Sequence, residues 1–174
     1  MTLNCDGSSM TRPEPAADPL DNPLWQFSLD FYGHDEVAPF LLDCQDRYDA
    51  DVCLMLWASY REMGGRALSE EGWRVADRGL TPRRSMIASV RQLRRWLGRM
   101  RPHTARLYGW SKNCEQRLEQ RQLSALWQLD RQLEQERWPG ERSPLVLAGQ
   151  HYGIPQKKQA RWAGLISAYR AAKQ

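Results

Sequence analysis

The sequence predicts an all-α fold, a single multi-helix bundle of seven to eight helices over residues 21–174 behind a disordered tail over residues 1–20. Three observations predict it. Apolar residues recur at helical spacing from residue 22 to the C-terminus. Capping residues and helix breakers punctuate that pattern at Asn22, Gly33, Asp51, Gly64, Ser69 and Pro139-Gly140. No valine- or isoleucine-rich alternation bounded by turn residues reads as a strand.

The tail, "MTLNCDGSSMTRPEPAADP", carries few large apolar groups and is rich in Pro, Ser, Asp and Ala. Such a composition cannot bury enough surface to offset the entropy of ordering. It also lacks the basic patch and apolar stretch of a signal peptide. No run approaches the roughly 20 apolar residues that cross a bilayer. A soluble, cytoplasmic chain with no membrane contact is the expectation. Cys5, Cys44, Cys53 and Cys114 are widely spaced with no C-x-x-C pair, which predicts reduced thiols and neither a disulfide framework nor a zinc site.

The first helix is "NPLWQFSLDFYG", residues 22–33. Asn22 suits the N-cap, Pro23 the first helical position and Gly33 the stop. Leu24, Phe27, Ser28 and Phe31 share one face, Trp25, Leu29 and Tyr32 the next, and only Gln26 and Asp30 form a polar strip. A helix apolar over most of its circumference is buried on most sides, so this segment reads as a central beam. The second helix runs from about Asp35 to Tyr48, with Pro39 tolerated near its first turn. Asp51 caps the third, whose run "VCLMLWA" leads on to Met63 and Gly64-Gly65. Ser69, Glu70 and Glu71 open a fourth that ends near Gly79.

Thr81-Pro82 is expected to open a fifth helix with two distinct faces. Met86, Val90, Leu93, Leu97 and Met100 form the predicted core face, with Arg84, Arg91, Arg95 and Arg99 opposite in solvent and Arg83, Arg94 and Arg101 on the flank. The sixth helix extends from about Thr104 to Trp138. Leu107, Cys114, Leu118, Ala125, Leu126, Leu129 and Leu133 form its predicted core stripe, and Leu123 and Trp127 point away from it. "PLVLAGQHYG" and then Gln156 to about Ala172 complete the chain. Trp162, Leu165, Ile166 and Tyr169 make the i, i+3, i+4, i+7 stripe of the last helix.

"LWQFSLDFY", "LLDCQDRYDADVCLMLW" and "VRQLRRWL" before a long Arg/Glu/Gln/Leu helix resemble a family of short bacterial proteins of unknown function. Its marks fall here on Leu24, Trp25 and Phe27, on Gln45, Arg47 and Tyr48, on Asp51 and Val52, and on Val90 to Leu97. The resemblance covers about residues 22–137 and implies a helical intracellular protein, with no activity attached. Members carry Gly near position 49 and Asn at 53; this chain has Asp49 and Cys53, so any polar role of that Asn is lost or altered.

Little in the residues points to catalysis. His34, His103 and His151 lie far apart; "GHDEVAP" groups His34, Asp35 and Glu36, which suits an acid–base cluster but equally a solvated turn. No metal-ligand spacing, phosphate loop or dinucleotide turn occurs, so neither a metal nor a cofactor is expected. Asp30, Arg47 and Asp51 lie beside strongly apolar helices and are candidates for a buried polar network; capping and ordinary surface explain them equally well.

Charge is distributed unevenly. Up to Asp51 there are eleven acids against Arg12 and Arg47, and from Arg78 to Lys112 there are ten basic residues and no acid. The simpler explanation is that the acidic front folds against the basic middle. The alternative is a partner. The row Arg84, Arg91, Arg95 and Arg99 suits an acidic protein partner or self-association, nucleic-acid phosphates, or plain solvation. Leu123 and Trp127 either pack under the terminal helices or serve as interface anchors. The expected function is a non-catalytic cytosolic interaction module binding an acidic protein partner through the arginine face. Sequence-independent nucleic-acid binding by the same face is the alternative, and an enzyme with scattered catalytic residues the third reading.

Overall fold

The computed structural model describes residues 20–100, 105–135 and 142–174. The predicted tail up to residue 19, Cys5, His103 and the stop at Pro139-Gly140 lie outside them. The described residues form seven helices: α1 (Pro23–Tyr32), α2 (Val37–Tyr48), α3 (Val52–Met63), α4 (Glu70–Arg99), α5 (Ala105–Gln135), α6 (Pro144–His151) and α7 (Gln156–Ala172). The fold is all-α.

Helix α3 is the central member and touches α1, α2, α5, α6 and α7. Asp51 starts it, the side chain accepting from Leu54 N at 3.0 Å. From Cys53 to Ser59 every side chain is buried, so this run is apolar on all sides because it is surrounded on all sides. Trp57 stacks on Trp73 of α4, and Trp162 of α7 donates its indole N–H to Ser59 Oγ at 2.9 Å. The first helix is less central than expected. Asn22 caps it at 3.0 Å, but it buries only Leu24, Ser28 and Phe31, while Leu29 is exposed. Between α2 and α3, Asp49 takes a left-handed φ of 52°, a conformation that favours glycine.

The predicted fourth and fifth helices are one. The 30-residue α4 runs straight through Pro82, without the break expected at Thr81-Pro82. A proline there removes one backbone donor, but Pro82 is exposed, so water can reach the carbonyl it leaves behind. Trp73, Leu80 and Ile87, seven residues apart, form one buried line across the proline. Helix α5 returns antiparallel along α4, since Gly98 approaches Tyr108, Arg91 pairs with Glu115, and Gly72 lies near Leu133. By the rise of an α-helix each is about 45 Å long, and the pair forms a long antiparallel arm that α1 and α2 flank as far as Arg95 and Lys112.

The inward face of α5 also differs from the prediction. Leu123 is buried and Trp127 is half-buried, its ring 6.1 Å edge-on to Tyr60, so both belong to the core and neither is an exposed anchor. Leu107, assigned to the core stripe, is exposed. The buried face carries Ser111, Glu115, Gln122 and Asp130 among its leucines. Counting apolar residues alone therefore rotates the inferred stripe.

Asp130 is fully buried and joins α5 to the centre. Its carboxylate accepts from Trp57 Nε1 at 2.9 Å, Arg61 Nη1 at 2.5 Å and Arg66 Nη1 at 2.7 Å. Arg61 also donates to Ala67 O at 2.7 Å, and Arg66 to Glu134 at 2.6 Å. Removing one partner of such a pair strands a buried charge. Asp130→Asn is expected to lower stability by about 3–5 kcal/mol in urea unfolding; a loss below about 1 kcal/mol would mean that Arg61 does not depend on this carboxylate. Pro82→Ala should raise stability by about 1–3 kcal/mol if the helix is continuous there. No gain in the same measurement would support a break.

Candidate functional site

The arginine row does not face solvent as a set, because the buried line of α4 carries part of it towards the body. Arg84 is half-buried and bridges Asp51 and Asp77, each at 2.7 Å. Asp51 Oδ2 also accepts from Gln122 Nε2 at 2.8 Å. Arg91 reaches Glu115 at 2.9 Å and Glu119 at 3.2 Å, and Arg94 takes the other oxygen of Glu115. Arg95 is exposed and only 3.5 Å from the exposed Asp46. Arg99 is exposed with no ion pair among the described residues. Three of the four predicted guanidiniums therefore pair with carboxylates of this chain, Arg84 and Arg91 from half-buried positions and Arg95 at the surface.

The predicted Asp30–Arg47–Asp51 network does not form. Arg47 is exposed and pairs with Asp43 one turn away, and Asp30 takes the Tyr169 hydroxyl and Lys173. Asp51 belongs to a network, but its partners are Arg84 and Gln122. The "GHDEVAP" turn pins α7: the His34 ring lies 5.9 Å from the Tyr169 ring, and Glu36 reaches Arg161 at 3.1 Å.

The ion pairs line one flank of an open cleft of about 530 Å³ between α1, α2, the start of α3 and the arm. Trp25, Leu29, Tyr32, Leu42 and Val52 give it an apolar side, and Arg91, Arg94, Arg95, Lys112, Glu115 and Glu119 a charged one. Cys53 and Gln45 line both this cleft and a neighbouring hollow of about 290 Å³ floored by Asp51, Arg84 and Gln122. Burial pushes the Cys53 thiol well above its usual range, so it stays protonated. Glu115, Glu119, Leu29 and Leu42 were missed as site residues from the sequence. One signal was available: two glutamates one helical turn apart repel each other on a free surface, and so call for cations opposite them.

The far side of the arm is apolar and exposed. Met86, Leu93 and Trp96 on α4, Met100 at its C-cap, and Leu107 and Trp110 on α5 are between 42 % and 60 % exposed. Of the predicted core face, only Leu97 is buried. Met86, Leu93 and Met100 fall seven apart, on a line about 100° round the helix from Trp73, Leu80 and Ile87.

Burial raises the Glu119 carboxyl above the ordinary glutamate value; the charge of Glu115 adds to the rise and Arg91 opposes it. The folded chain thus binds this proton more tightly than the unfolded chain does. Ionised Glu119 weighs against folding at pH 7, and that penalty fades as the pH falls through the raised pKa towards the ordinary value of 4.5. Glu119→Gln should raise the urea midpoint more at pH 7 than at pH 4. An equal change at both pH values would remove the linkage.

No helix among the described residues is long and apolar enough to cross a membrane. No curated protein and no solved structure matches the chain. A family described as "Protein of unknown function (DUF2390)" matches residues 23–126, a span that contains every residue lining the cleft and the whole exposed ridge of the arm. With most of its length matched from α1 into α5, the chain belongs to that family.

Proposed function

We propose that this protein is a non-catalytic helical interaction module that grips an acidic, amphipathic helix of a protein partner along the outer side of the α4–α5 arm. One observation carries the reading: of nine large apolar side chains exposed among the described residues, six lie on the arm. The seven-residue spacing of Met86, Leu93 and Met100 suits an apposed helix. Trp96 and Trp110 supply the aromatic surface that dominates interface energetics, and methionines adapt to a partner's shape. Exposed Arg99 and Arg106 flank this surface, and they favour acids on the occupant. The inner arginines have a different role: Arg84 ties the arm to Asp51 at the start of α3, and Arg91 ties α4 to α5 within the arm. For nucleic acid, the row keeps only Arg95 and Arg99 for phosphates.

Affinity capture from lysate, with and without nuclease, tests this. A defined protein should remain bound after nuclease treatment. The Trp96→Ser/Trp110→Ser double variant should reduce its retention about tenfold or more with the melting temperature unchanged, and Arg99→Glu should weaken it further. Retention by the double variant would overturn the reading. Release by nuclease would put nucleic acid in the partner's place.

A further inference from the structure

We propose that the cleft between α1, α2 and the arm is a second, independent site that binds a small amphipathic organic carboxylate. The flat or extended apolar body lies against Trp25, Leu29 and Leu42, and the carboxylate lies towards Arg95 and Lys112. Size sets the class of occupant. A volume of about 530 Å³ falls in the range of small-molecule sites, whereas a helix about 10–12 Å across needs more room.

Charge sets the sign. Four cations and two carboxylates line the cleft, and the carboxylates are already assigned: Glu115 holds Arg91 and Arg94, and Glu119 holds Arg91. Arg95 has only the 3.5 Å contact with Asp46, and Lys112 has no ion pair among the described residues. The unmatched charge is therefore positive and lies beside an apolar wall. One amphipathic anion answers both.

A third observation is independent of these. Ser28 is 3 % exposed, lines the cleft, and its hydroxyl has no hydrogen-bond partner. A serine inside a helix usually donates to the carbonyl one turn back, as Ser59 does to Met55 O at 2.9 Å. Ser28 does not; its unpaired hydroxyl sits just behind the wall, within reach of a polar ligand atom once a neighbouring side chain shifts.

Titration calorimetry of the full chain tests the site with two probes, naphthalene-1-carboxylate and decanoate, against their neutral amides. At least one carboxylate should saturate the protein at one per chain and bind about tenfold or more tightly than its amide. Leu29→Asp and Lys112→Glu should each weaken it about tenfold, Leu29→Met should retain it, and Ser28→Ala should weaken it a few-fold. The Trp96→Ser/Trp110→Ser variant should bind as the wild type does, which separates this site from the arm. No saturable binding of either carboxylate would overturn the proposal. So would equal affinity for the amides, indifference to Leu29→Asp, or loss in the arm variant.

Discussion

The carboxylate of Asp130 is the group on which the rest of the arrangement depends. It lies fully buried against α3, where Trp57, Arg61 and Arg66 converge on its two oxygens. A buried ion pair contributes little net stability, because desolvating the charges offsets most of their attraction. What it contributes is register. Leucines tolerate sliding along each other; a carboxylate that must meet an indole and two guanidiniums does not. Once α5 is seated on α3 in this way, its inward face is set over its full length, and Gln122, Glu119 and Glu115 follow towards the arm.

That chain of polar residues explains why the molecule has clefts where it does. Along α4 the inward line begins with Trp73, Leu80 and Ile87, which pack closely, and it continues to Arg94 with Arg84 and Arg91 beside it. The pairs of Arg91 and Arg94 with Glu115 and Glu119 join α4 to α5, so the side of the arm that faces α1 carries charge in place of aliphatic groups that would pack closely. The α1 face of Trp25, Leu29 and Tyr32 thus meets a charged wall across a gap. The apolar character of this helix serves a core on one side and an open cleft on the other.

Much of this was legible in the sequence and some was not, for identifiable reasons. The caps at Asn22, Asp51 and Ser69 and the full extent of the last helix were readable because they are local. The acidic front folding on the basic middle was partly readable, and Asp51 with Arg84 realises it. Asp130 could not be found: its partners Arg61 and Arg66 are 69 and 64 residues away, and a lone aspartate on a long charged helix looks like surface. The stripe of α5 was misassigned because buried polar residues break the apolar count.

The two misjudgements about α4 are one. A break at Pro82 would let the following segment rotate freely, and an amphipathic helix free to rotate turns its methionines and leucines inward and its arginines outward. A continuous helix has no such freedom. Its phase is set by Trp73, Ala76 and Leu80 in the core, and the remaining turns must follow. That phase carries Arg84 and Arg91 to carboxylates and leaves Met86, Leu93 and Met100 in water. Exposed apolar surface forgoes roughly 25 cal/mol for each Å². Ion pairs at the inner side hold the arm against that loss, and they hold it in the one orientation that presents the ridge outward. A surface kept apolar by a rigid helix, and not by local disorder, is pre-organised for an occupant, because a partner covering it has no backbone to order on this side of the interface.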